Sequence, residues 1–182
     1  MPIDNIPEPW KSFLADIDDR LGESVELHCL GGFVLTTVYR LPRTTADLDV
    51  VAVASLAQNA HLIALAGQGS ELHRKHRVCL DLVGVAPLPE DYESRLTEIF
   101  PGSFRKIRLL ALDPYDIVLS KLERNSQRDR DDVKYLARAV SMDLGLLQRR
   151  YEDELQSILG NPDRETLTLH LWMQAIEEER GK

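Results

Sequence analysis

Apolar positions change period along the chain, and the changes mark its elements. In "EPWKSFLADIDDRLG" (8–22), Trp10, Phe13, Leu14, Ile17 and Leu21 fall on one helical face, and Gly22 ends the run. "VELHCL" (25–30) reads as a strand. Gly31-Gly32 then opens "FVLTTVYRL", a buried helix that stops before Pro42. "DLDVVAV" (47–53) alternates and then turns apolar, as a largely buried strand does. "SLAQNAHLIALAGQG" (55–69) predicts a helix closed by glycines. "HRVCLDLVGV" (76–85) predicts a strand with Asp81 at its middle. "LPEDYESRLTEIF" (88–100) starts with proline and acids, a helix-start signal, and "FRKIRLLAL" (104–112) predicts a last, edge strand.

From Asp113 onward the period is helical. "DPYDIVLSKLERN" (113–125) has Asp113 as N-cap and Pro114 at the first helical position. Further helices are expected over 129–142, 143–159 and 163–180. Tyr151, Leu155, Leu167, Leu171, Trp172 and Ile176 are expected to pack the C-terminal helices together. There is no internal repeat and no low-complexity linker. Alternating helices and strands followed by helices alone predict an α+β or α/β-like sheet with a helical C-terminal part. The expected organisation is a sheet core over 1–112 and helices over 113–182, packed as one unit.

The chain has 182 residues, 43% hydrophobic and 29% charged, enough for a sizeable core without disulfides. No apolar run is long enough for a bilayer, and "MPIDNIPEPWKSF" resembles no export signal. Cys29 and Cys79 both sit in apolar strands and read as isolated buried thiols, which fits a cytoplasmic protein; a bridge would need neighbouring strands. The net charge of −8 argues against a surface coated for nucleic acid, though not against a local basic groove. "HRKHR" (73–77), leading into the Asp81 strand, reads either as such a patch or as an exposed polar turn.

Candidate chemistry begins with Asp47 and Asp49. Residues i and i+2 of a strand share a face, so these carboxylates project together. Two adjacent anions call for a cation, and Mg²⁺ suits few carboxylates plus water and phosphate. A solvated acidic strand edge satisfies the same spacing. Asp81 sits in the middle of "VCLDLV", where an unpaired carboxylate is costly; a neighbouring strand would bring it to the pair. Gly31-Gly32, between strand and helix, suits either a tight turn or a close approach of backbone to phosphate. Lys121 and Arg124, i and i+3 on the expected helix, share a face that suits a triphosphate or internal ion pairs.

Taken in order, Gly31, Gly32, Arg43, Thr45, Asp47 and Asp49, the later Asp81, and then Lys121, Arg124, Arg128, Asp129 and Asp132 resemble the nucleotidyltransferases of the DNA polymerase beta type. The likeness is to small stand-alone bacterial members related to AbiEii/MenT toxin nucleotidyltransferases and spans about residues 25–140. It implies a small mixed β-sheet nucleotidyltransferase core and transfer of a nucleoside monophosphate from an NTP to an acceptor hydroxyl with two Mg²⁺ ions. In that scheme Asp47, Asp49 and Asp81 are metal-binding and catalytic. Gly31, Gly32, Arg43, Thr45, Lys121 and Arg124 bind nucleotide or phosphate, and Asp129 and Asp132 support Lys121 and Arg124. RNA or a tRNA end as acceptor and an antitoxin protein as partner follow from the same resemblance, with no membrane partner. Two other outcomes stay open: an inactive nucleotide- or partner-binding module, and a nucleotidyltransferase acting on an antibiotic-like small molecule.

Overall fold

The computed structural model describes residues 6–51, 55–84 and 87–180. It is a mixed α+β fold that divides into two units, one formed by 1–85 with 96–112, the other by 86–95 with 113–182.

The first unit is built on a five-stranded sheet in the order β3-β2-β1-β5-β4. Helix α1 (Trp10–Arg20) precedes β1 (Val25–Leu30), α2 (Gly31–Thr37) and β2 (Asp47–Val51). Helices α3 (Leu56–Ala66) and α4 (Glu71–His76) lead to β3 (Cys79–Val83), and β4 (Thr97–Ile99) and β5 (Ile107–Ala111) complete the sheet. β1 runs antiparallel to β2 and parallel to β5; β2 and β3 are parallel, and β4 is antiparallel to β5. Residues 52–54 and 85, ends of the expected β2 and β3 runs, lie outside the described residues.

Strand alternation gives this sheet two unlike faces. Leu27, Cys29, Leu48, Val50, Leu80 and Leu109 are buried on one. Glu26, Asp47, Asp49, Asp81 and Arg108 belong to the other. Phe13, Leu14 and Ile17 of α1 are fully buried, and Trp10 meets the ring of Phe33 edge-on at 5.0 Å between centroids. Asp18 of α1 is buried yet satisfied, because its carboxylate accepts the backbone N–H groups of Arg105, Lys106 and Ile107. That bond set ties α1 to the start of β5. Burial works to raise the Asp18 carboxyl, but the three N–H donors hold it below its ordinary value.

Two expectations change here. Residues 88–100 do not form a helix: a short 3₁₀ turn (Tyr92–Arg95) is followed by the edge strand β4. Arg95 donates to Asp116 and Glu154, which fixes the chain before a second turn of helix can form. β5 is therefore not an edge; it lies between β1 and β4.

The second unit contains that 3₁₀ turn and helices α5 (Pro114–Leu119), α6 (Gln127–Ala139), α7 (Leu144–Arg150) and α8 (Pro162–Arg180). Asp113 caps α5, Ser126 caps α6 through a capping box with Asp129, and Asp143 caps α7. α7 runs into a π turn over Tyr151–Leu155 and a 3₁₀ turn over Gln156–Ile158, so the expected single helix over 143–159 is broken. Asp116 is fully buried and bound by Arg95 and Arg150. α6 packs on α8. Tyr151, Leu155, Leu169, Trp172 and Ile176 are buried, but Leu167 and Leu171 are 60% and 55% exposed. They lie one turn apart on the side of α8 opposite Glu165, Leu169, Trp172 and Ile176, so the expected packing role does not apply to these two.

Candidate active site

Asp47 and Asp49 occupy alternate positions of β2, with Leu48 buried between them. The β2–β3 register pairs Asp49 with Asp81 and Asp47 with Cys79. All four side chains therefore stand on one face, with paired Cα atoms about 5 Å apart across the strands. Asp47 and Asp81 are exposed and Asp49 is half-buried. The sheet thus gathers the three aspartates onto a single water-facing surface. Among the described residues no three His, Cys, Asp or Glu side chains are drawn tightly enough to form a ready metal cage.

The glycine pair explains how Asp49 fits. α2 begins at Gly31 itself rather than after the pair, directly after Leu30, the register partner of Asp49. Gly31 has φ +64°, and a Cβ placed there would lie 2.0 Å from Asp49 Oδ2. A Cβ on Gly32 would lie 2.6 Å from Thr45 Oγ1 and 3.4 Å from Arg43 Nη1. The space left by both missing side chains is thus taken by Asp49, Thr45 and Arg43. Thr45 Oγ1 donates to the Asp47 carbonyl at 3.4 Å, and Arg43 Nη1 to the Thr44 carbonyl at 3.3 Å. Phe33, which follows the pair, is fully buried against Trp10 and so points away from this surface. Arg40 is exposed, with φ +59°.

Cys79, expected as an isolated buried thiol, also belongs to this face. Its thiol donates to Asp47 Oδ1 at 3.5 Å. Burial, the Asp47 bond and the charges of Asp47, Asp81 and Asp49 push it up to about 11, so it is a protonated donor at neutral pH. The signal was available: Cys79 stands two residues before Asp81, hence on the same strand face. Cys29 is also a free buried thiol; β2 separates its strand from that of Cys79.

In the second unit, Lys121 and Arg124 lie in a turn after α5, not on a helix as expected. Lys121 N–H bonds back to Val118 and Leu122 to Leu119, three residues rather than four, and Asn125 closes the turn with φ +41°. Lys121 is buried and its Nζ donates to Asp129 and Asp132, each at 3.1 Å. Arg124, 68% exposed along its side chain, forks onto Asp129 at 2.6 and 2.8 Å. Burial works to raise the Asp129 carboxyl, but bonds from Arg124 and Ser126 and the Lys121 charge hold it well below the usual range. Asp129 also caps α6, so the group is an ion cluster built into a helix start.

The 73–77 cluster is mostly a short helix, α4, rather than a polar turn. Lys75 and His76 both bond Asp16 of α1, at 2.6 and 2.7 Å, and Arg74 donates to the Gly69 carbonyl. The bonds from Lys75 and His76 hold the Asp16 carboxyl below its ordinary value. A cavity of about 610 Å³ lies between the end of α1 and the start of α3, lined by Leu21, Val25, Ser55, Gln58 and Leu62, and includes none of the three aspartates. No helix among the described residues is long and apolar enough to cross a membrane.

Residues 12–180 match the model of a family described as nucleotidyltransferase of unknown function (DUF6036). No curated protein and no solved structure matches the chain.

Proposed function

We propose, from the premise that the chain belongs to the DUF6036 nucleotidyltransferase family, that the Asp47–Asp49–Asp81 face transfers a nucleoside monophosphate from an NTP to an acceptor hydroxyl. The observation that carries the reading is the junction of Gly31 with Asp49. A strand-to-helix turn is stripped of its side chain at the point where a carboxylate oxygen occupies the space. A surface strand has no need of that fit.

The donor set suits Mg²⁺: three carboxylates offer only oxygen, two from one strand and one from its neighbour. Mg²⁺ keeps several waters, so an open set of carboxylates accommodates it better than a closed cage. When bound there, Mg²⁺ supplies charge for the triphosphate and the attacking oxygen. Asp47 and Asp49 would hold the cation, and Asp81, paired with Asp49, would complete the set or take the proton from the acceptor hydroxyl. Arg43, beside Gly32, would supply positive charge to phosphate, and Thr45 would keep the entry of β2 in place. The acceptor we propose is RNA, on the resemblance to toxin-type relatives, with Lys121 confined to holding α6.

The test is incubation of the full chain with labelled NTPs, Mg²⁺ and total RNA. Label should enter RNA with the wild type and fall at least about 100-fold with Asp49→Ala. Equal labelling by both proteins would sink the enzyme reading. A small labelled product that survives ribonuclease would replace RNA with a small-molecule hydroxyl. Growth arrest on expression, lost with Asp47→Ala or Asp49→Ala, would support the toxin role.

A further inference from the structure

Cys79 stands in register with Asp47 on the neighbouring parallel strand, and its thiol donates to Asp47 Oδ1 at 3.5 Å. We propose that Cys79 is a positioning residue: its S–H holds one oxygen of Asp47 so that the other is left to bind the cation that Asp47 and Asp49 would hold. The inference rests on the proposed reading of the aspartate face and extends it to a residue outside the oxygen set.

Three observations lead there. Cys79 is 7% exposed, so the donor side of the bond is shielded from water. Asp47 is exposed and lies at the first residue of β2, where a carboxylate without a fixed partner would rotate. The backbone at this point is itself pinned, because the Cys79 N–H donates to the Ala46 carbonyl at 2.9 Å. The donor is therefore buried and its backbone pinned while the acceptor side chain is exposed, the arrangement in which one bond can decide the acceptor's rotamer. Partners that orient a ligating carboxylate commonly change metal affinity without touching the metal. A thiol is a weak donor, and it does not match the oxygen preference of Mg²⁺. Orienting Asp47 is thus a better use of it than joining the cation.

The experiment compares wild type, Cys79→Ala and Cys79→Ser, with Mn²⁺ as the probe. Mn²⁺ binding is read from its free electron-paramagnetic signal, beside the Mg²⁺ dependence of transfer and a thermal melt. Cys79→Ala should weaken Mn²⁺ binding roughly tenfold, the low end for an orienting partner because S–H is a weak donor. It should raise the Mg²⁺ needed for half-maximal transfer by a similar factor and leave the rate at saturating Mg²⁺ nearly unchanged. Cys79→Ser keeps a donor and should restore binding to within about twofold. A packing role alone would lower the melting temperature and leave Mn²⁺ affinity unchanged, and that result overturns the proposal. So does failure of serine to rescue in a protein that melts like the alanine variant, or Mn²⁺ binding indifferent to Asp47→Asn. Mn²⁺ binding that follows Cys79 and Asp47 in a protein that transfers no nucleotide would sustain the positioning role and remove the enzymatic reading.

Discussion

Replacing Gly31 with alanine perturbs two things at once, and a second glycine separates them. Gly31 has φ +64°, and alanine in that left-handed region costs about 1–2 kcal/mol. The new Cβ would also lie 2.0 Å from Asp49 Oδ2, against an ordinary contact distance of at least 3.4 Å, so the carboxylate must retreat by about 1.4 Å. Gly69 has φ +82° with nothing within 4 Å of its Cβ position, so Gly69→Ala carries the backbone cost alone. Urea unfolding should show Gly69→Ala losing about 1–2 kcal/mol with transfer and Mn²⁺ affinity intact. Gly31→Ala should lose that much or more, and its transfer rate should fall about 100-fold, the usual effect of moving a reacting group by an ångström. Adding Asp49→Ala to Gly31→Ala removes the colliding oxygen and should return part of the lost stability, which a double-mutant cycle reads as coupling. Equal effects of the two glycine variants on transfer, or an additive cycle, would refute the claim that Gly31 exists to admit Asp49.

Two further predictions concern buried charge. Asp18→Asn should cost about 2 kcal/mol at neutral pH, because three backbone N–H groups lose a charged acceptor. Its folded carboxyl lies below its ordinary value, so this stabilisation is present above about pH 4 and is lost as pH falls through the folded value; the difference in urea midpoint between wild type and variant should shrink below about pH 4. Lys121→Ala should destabilise by about 3 kcal/mol in urea, since it removes the buried ammonium that Asp129 and Asp132 share, while Arg124 and Ser126 still bind Asp129. Arg124→Ala, at an exposed guanidinium, should cost under about 1 kcal/mol.

The fold was legible where side-chain period alone decides structure. Strand β1 matches its apolar run residue for residue, and α1 follows its helical face of Trp10, Phe13, Leu14 and Ile17. It was illegible where distant ion pairs override local preference. Residues 88–100 carry a helix-start signal, but Arg95 is claimed by Asp116 and Glu154, and the chain then leaves as an edge strand. Leu167 and Leu171 have helical spacing, yet spacing cannot say which face of α8 meets α6. The place of β5 inside the sheet was hidden for a similar reason: its neighbour β4 has only three residues.

The candidate site was legible in its spacings and not in its pairings. Asp47 and Asp49 must share a face because a strand has period two, and no tertiary knowledge is needed for that. That Asp81 stands opposite Asp49, and Cys79 opposite Asp47, depends on a register that only the folded sheet supplies. The glycines show the difference most sharply. In the sequence they suit either a tight turn or a close approach of backbone to phosphate; in the fold the places of their side chains are taken by Asp49 Oδ2 and Thr45 Oγ1. The requirement for glycine at 31 is therefore set by the residue at 49, eighteen positions later. A shorter reach at 49 would lift the 2.0 Å collision with a Cβ at 31 and leave the backbone cost with a tight 3.3 Å contact to the Cβ at 49. Gly31 and Asp49 are one constraint written at two places in the chain, which is why neither is informative until both are placed on the sheet.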